Sequence, residues 1–163
     1  MKTKGFTFAE LLVVLVIMAA LVCIAAPYAT QTNNSQKLKQ ESLNIAITFD
    51  FLIDEAINTG RAAKFTLNSN KKTYWLEIAA KENFQQFVPL EGYLGLPHRL
   101  GSDLFIIETT GFDSDMKNEF LVFDPARPWP SASITLANKY EAAAIRIEGA
   151  HVEMINSQSA YQN

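Results

Sequence analysis

Few residues in this chain have the types and spacing that chemistry needs. Two histidines, His98 in "LPHRL" and His151 in "GAHVE", stand far apart, with no serine or cysteine nucleophile motif beside either. The single cysteine, Cys23, lies inside an apolar run, which leaves neither an intrachain disulfide nor a cysteine-based zinc site to assemble. "GFDSDMKNE" gathers Asp113, Asp115 and Glu119 and resembles part of a calcium loop. Lys117 takes the place of a neutral or acidic ligand there and the following glycine is missing, so a solvated acidic turn is the better reading. No catalytic set, metal site or cofactor site is expected, and the chain reads as a non-enzyme. The informative residue is Glu10 in "KGFTFAELL", the one charged side chain in the apolar run 6–26. An acid within a membrane helix costs roughly 2.5 to 3.5 kcal/mol near the centre and less towards an end. Something should compensate it, unless the side chain simply snorkels to the headgroups.

The run that carries Glu10 is 21 residues long, about 31 Å as a helix, which matches the hydrocarbon thickness of a bilayer. Lys2, Lys4 and the amino terminus precede it, and such a flank stays in the cytoplasm, leaving the chain from Pro27 onward across the membrane. A secretory signal peptide fits poorly. Its apolar region would be shorter, and the only cleavage-like triplet, Ile24-Ala25-Ala26, is followed by Pro27. Val22 before Cys23 likewise speaks against a lipoprotein site. Ala19, Ala20, Cys23 and Ala26 are small residues at spacings that let a neighbouring backbone approach, or else lipid-facing filler.

After Pro27 the sequence "YATQTNNSQKLKQ" is polar and shows no apolar stripe. Leu38, Ser42, Ile45, Phe49, Leu52 and Ala56 then recur at alternating four and three, with Ala46, Ile53 and Ile57 beside them, which predicts an amphipathic helix stopped by Gly60. "RAAKFTL" and "TYWLEIA" flank "NSNKK" as a hairpin, and "FVPLEGYLGLPHRLG" reads as loop. Strand-like runs return in "DLFIIET", "EFLVFD", "SASITLAN", "AAAIRIEG" and "HVEMI". Strands packed on one amphipathic helix make the fold class α+β: a long amino-terminal hydrophobic helix continues into the amphipathic helix, which lies on an antiparallel β-sheet globular part. At 163 residues there is room for one domain and an anchor. The expected division is 1–5, a leader; 6–26, the apolar helix; 27–60, a polar linker and amphipathic helix; and 61–163, the β-rich globular part.

"KGFTFAELLVVLVIMAALVCIAAP" resembles the amino terminus of type IV prepilins and type II secretion pseudopilins: a short basic leader ending in glycine, an aromatic residue, threonine, an acid and a long apolar helix. The resemblance implies cleavage by a prepilin peptidase between Gly5 and Phe6, methylation of the new Phe6 amine, and an assembly role for Glu10, which neutralises the amino terminus of a neighbouring subunit in the fibre. It also places Pro27 where family members often carry a helix-kinking proline. Further on, "FLVFDPARPWPSASITL" and "AAIRIEGAHVEMI" resemble the carboxy-terminal half of the H-type minor pseudopilins, the GspH/FimT-like group, through Phe123, Asp124, Pro125 and Gly149. Ala126 and Arg127 stand where glycine is usual, so the turn must be made differently.

What the resemblance implies is a minor pseudopilin, a structural subunit of the type II secretion pseudopilus that drives protein export across the outer membrane. Its partners would be other pseudopilin or pilin subunits, the prepilin peptidase, the inner-membrane assembly platform and the membrane itself. It would sit in the bacterial inner membrane with a single pass, amino terminus cytoplasmic and globular part periplasmic, before entering the fibre. A minor pilin of a type IV pilus, or a periplasmic protein that uses the helix only as a tether, are the alternatives. No nucleic-acid partner is expected. The net charge is −3, and without Lys2 and Lys4 it falls to −5, a field that repels phosphate. Trp129, between Pro128 and Pro130, is either a contact for another subunit or a lid over a sheet edge.

Overall fold

The computed structural model describes the backbone of residues 8–157 and the side chains of residues 8–23 and 32–155. One helix, α1 (Phe8–Thr59), runs for 52 residues, about 78 Å at 1.5 Å per residue. It passes without interruption through Pro27 and through the polar stretch after it. From Gln31 to Glu41 the sequence holds no glycine or proline and is rich in Gln, Lys and Glu, straight-chain residues that lose little rotamer freedom in a helix. The helix stops where the sequence predicts. Gly60 adopts φ 65 and its amide donates to the Ala56 carbonyl at 3.0 Å, a left-handed cap that closes the last turn.

The stripe at four-three spacing is the buried one. Leu38, Ser42, Ile45, Phe49, Leu52 and Ala56 are all buried, with Ala46 and Ile53 beside them. Ile57 departs from the expectation and is 56% exposed; it lies on the helix face turned away from that stripe. Ser42 sits in the stripe with a buried hydroxyl that has no hydrogen-bond partner.

Among the described residues ten strands follow: β1 (Ala63–Asn68), β2 (Thr73–Ala79), β3 (Phe87–Pro89), β4 (His98–Arg99), β5 (Phe105–Thr110), β6 (Asp113–Ser114), β7 (Glu119–Phe123), β8 (Ser131–Ala137), β9 (Ala142–Glu148) and β10 (His151–Ser157). The hairpin β1–β2 and the final hairpin β9–β10 form as the sequence indicates, in antiparallel register. The presumed loop after β2 adds two short strands, β3 and β4, both paired with β2. The expected single sheet is in fact two. One has the order β3-β2-β1-β7-β6 with β4 also on β2, and the other has the order β10-β9-β8-β5. The pairing of β1 with β7, Ala63 opposite Phe123, joins residues far apart in sequence, which periodicity within a strand cannot reveal.

The core forms where α1 meets the inner faces of both sheets. Phe49 of α1 lies 4.7 Å from the Phe65 ring of β1 and 6.2 Å from Phe123 of β7. Phe65 stacks in turn on Tyr74 at 5.4 Å. Trp129 is half-buried and its ring stands 6.0 Å from Phe123, so it closes the core rather than projecting from it. The turn after β7 is built by Asp124. Its carboxylate accepts the Ala126 amide at 2.9 Å, its carbonyl accepts the Arg127 amide at 3.1 Å, and its second oxygen pairs with the Arg127 guanidinium at 3.2 Å. An aspartate bonding to the backbone two residues on replaces the glycine missing there.

Three polar contacts fix the helix to the globular part at the level of the polar stretch. Ser35 Oγ donates to Glu141 Oε1 at 2.7 Å, and Asn138 Nδ2 donates to the Asn34 carbonyl at 2.9 Å. Lys37 Nζ lies 3.7 Å from Asp103 Oδ2 on the surface. Asn138 is 2% exposed, and its Oδ1 also accepts the amides of Tyr140 and Glu141 at 2.7 and 2.9 Å. One side chain therefore both builds the β8–β9 turn and ties it to α1. The chain passes from one sheet to the other at Gly111, whose φ is 74 and where an added Cβ would fall 2.2 Å from the Ser131 carbonyl oxygen.

Asn138→Ala is expected to lower stability by roughly 1–3 kcal/mol, the cost of stripping partners from buried polar groups; chemical denaturation followed by tryptophan fluorescence reads this. Gly111→Ala combines positive φ with a backbone clash. It should cost more than Gly149→Ala, where φ is also positive but nothing lies within 4 Å of the new Cβ and strain alone, on the order of 1 kcal/mol, is expected. Equal midpoint shifts for the two glycine variants would contradict the close approach at Gly111.

Candidate functional site

The amino-terminal segment that sequence reading singles out begins outside the described residues: Gly5 and Phe6 lie there. Glu10 lies within them, in the first turn of α1, and is exposed. Around and beyond it the helix is apolar on every side. Phe8 is 79% exposed and Val22 is 65% exposed, and each residue from 8 to 23 is exposed. Among the described residues no helix is long and apolar enough to cross a membrane; of the 21-residue run, residues 6–7 and 24–26 fall outside those whose side chains are described.

An apolar rod of this kind needs another apolar medium around it, lipid or the helices of other subunits. Its continuation into the globular part without a break makes the rod and the domain one lever, held at Asn34, Ser35 and Lys37 by the contacts above. The small residues Ala19, Ala20 and Cys23 are exposed along that rod.

Elsewhere the chemically capable residues are spent on structure. The ring of His98 stacks on Tyr74 at 5.4 Å and meets Tyr93 edge-on at 4.4 Å, with Nε2 3.1 Å from the Tyr93 carbonyl. His151 opens β10 at the final hairpin, away from the His98 stack. The acids of "GFDSDMKNE" are dispersed by the hairpin that contains them. Asp115 Oδ1 accepts the amides of Lys117 and Asn118 at 2.9 and 2.8 Å. These two backbone bonds, Lys117's first, hold its carboxyl below the ordinary aspartate range. Glu119 instead accepts hydroxyls of Thr109 and Ser69 and so ties β7 to β5 and to the β1–β2 turn. Among the described residues no group of three or more His, Cys, Asp or Glu side chains is placed to hold a metal ion.

Titration of the remaining perturbed groups follows burial. Burial pushes the Tyr74 hydroxyl up to about 12, with the nearby Glu41 charge adding to the effect. Burial also raises Glu41 itself, opposed by a hydrogen bond from Asn44 and by His98. Asp50 is raised by burial and by its neighbour Asp54, and lowered by His151. These shifts lie along the packed face of α1 and its flanks, not around a pocket with convergent reactive groups.

The family model described as the prokaryotic N-terminal methylation motif matches residues 1–26. A comparison with curated proteins finds no match. Among solved structures, the minor pseudopilin EpsH from the Type 2 Secretion System of Vibrio cholerae is similar, with a TM-score of 0.60 at 10% sequence identity, over 74% of this chain and 97% of that chain. The shared architecture is an amino-terminal helix followed by an antiparallel globular part. The chain thus carries the prokaryotic N-terminal methylation motif over residues 1–26 and, beyond it, shares an α+β fold with that pseudopilin.

Proposed function

We propose that this protein is a minor pseudopilin, a non-enzymatic structural subunit of a type II secretion pseudopilus, inserted in the inner membrane before it enters the fibre. The observation that carries the reading is the methylation motif at the head of an apolar helix that runs unbroken into an EpsH-like globular part. In this reading residues 6–26 are the membrane anchor, with the globular part periplasmic. A prepilin peptidase cuts between Gly5 and Phe6 and the Phe6 amine is methylated. Other pseudopilins and an inner-membrane platform receive the product.

The role of Glu10 follows from charge. Cleavage exposes an ammonium on Phe6 four residues away in sequence, and bundling of helices brings the ammonium of one subunit beside the Glu10 carboxylate of another. In a low-dielectric bundle an ion pair is favoured over either charge alone by several kcal/mol. The pairing holds only at one stagger between neighbouring helices, so it sets register. The alternative reading, a minor pilin of a type IV pilus, uses the same chemistry and is separated by which partner subunits co-purify.

Mass spectrometry of the chain from cells is expected to give an amino terminus at methylated Phe6; an uncut Met1, or a cut near Ala26, would return the protein to a tether. Glu10→Ala should be cleaved and inserted normally yet be depleted at least tenfold from sheared fibres, and normal incorporation would sink the pairing.

A further inference from the structure

The outer face of the first sheet, turned away from α1, bears Thr73 and Trp75 of β2 and Asn68 of β1, on the side of the strands opposite the buried Tyr74 and Leu76. Two connections rise beside these residues. One is the segment 89–97, with Leu96 59% exposed; the other is the β6–β7 turn, pinned by Asn68 Nδ2 donating to Asn118 Oδ1 at 2.9 Å. Between them lies a trough of about 980 Å³. Its apolar wall is Trp75, Pro89, Leu96 and Pro97, its charged groups are Lys71 and Lys117, and no carboxylate lines it. A neighbouring hollow shares Lys71 and adds Lys72 and Arg99, again without a carboxylate. A chain of net charge −3 thus carries one apolar corner with a basic rim.

The complement of that corner is on the same molecule. On the solvent side of α1, flanking the buried stripe, Leu43, Ile47, Asp50, Asp54 and Ile57 recur at alternating four and three and are all exposed. They form an apolar and acidic ridge about 21 Å long. Lys39 lies one turn nearer the amino terminus, so the acidic end of the ridge is the end near Gly60.

We propose that the trough receives this ridge from a second copy of the chain, with Leu43, Ile47 and Ile57 covered by Trp75, Leu96 and Pro97, and Asp50 and Asp54 facing Lys71 and Lys117. Charge and apolar surface match in both halves, which is the arrangement that excludes wrong partners and speeds encounter. Ridge and trough are on opposite sides of the molecule, since α1 and the outer face of the sheet flank the core. The contact is therefore heterologous: each copy that docks still presents a free ridge and a free trough, and repetition builds an open line of subunits rather than a closed dimer. The inference deepens the fibre reading above by naming the surfaces through which globular parts meet.

The test uses the full chain in detergent with Cys23→Ser, so that introduced cysteines are the only ones. Ile47→Cys and Leu96→Cys in one chain should give a ladder of disulfide-linked multimers under mild oxidation, and a mixture of the two single variants should stop at a dimer. Lys71→Glu with Lys117→Glu should cut cross-linking at least tenfold, as should Asp50→Lys with Asp54→Lys, and both reversals in one chain should restore it. Cross-linking no greater than for Ile47→Cys paired with Arg146→Cys, on the outer face of the other sheet, would overturn the proposal. So would indifference to charge reversal, or capture of the Leu96→Cys trough by a different protein in place of the second copy. Amino-terminal sequencing of the same samples separates the two readings. A chain that starts at Phe6 and does not cross-link sinks this contact alone, whereas a cross-linked chain that starts at Met1 supports the contact and sinks the fibre reading.

Discussion

Burial of one face of one helix governs this molecule. From Leu38 to Ala56 a stripe of mostly apolar side chains, centred on Phe49, packs against two separate sheets. Each sheet alone would leave an apolar face in water. The helix is the element that covers both, and burial of Phe49, Phe65 and Phe123 contributes about 2–3 kcal/mol apiece by area. Because the same helix continues to Phe8 without a break, whatever anchors the apolar end also orients the domain.

Two polar devices make that orientation definite. Apolar packing is non-directional and would tolerate some sliding of the helix along its groove. The hydrogen bonds of Asn138 to Asn34 and of Ser35 to Glu141 are directional, and they meet the helix one turn above the buried stripe. They also account for the polar character of the stretch after Pro27. Its partners there are a turn and solvent. The exposed ridge and the basic trough are likewise left over once the core has taken its share of apolar residues.

Much of this was legible in the residues. The stripe at four-three spacing, the Gly60 stop, the β1–β2 hairpin and the strands around Ile134, Ile145 and Val152 depend on local periodicity and turn chemistry, which a sequence displays directly. What was hidden is non-local. Nothing near Phe123 tells that it pairs opposite Ala63, nothing near Asn138 points to Asn34, and Asp124 as a substitute for a turn glycine is evident only from its three contacts. Trp129 could have faced either way until Phe123 was seen beneath it.

The sequence by itself determined the amino-terminal motif of this protein, because a glycine, an aromatic residue and an acid at fixed spacing at the head of an apolar run form a local pattern that needs no tertiary structure to exist. It determined the element types as well, since hydrophobic period is a property of neighbouring residues. Tertiary structure alone decided that the described strands divide into two sheets and which faces remain uncovered. Those outcomes depend on contacts between residues remote in the chain, whose loop-closure cost and mutual fit no local pattern records.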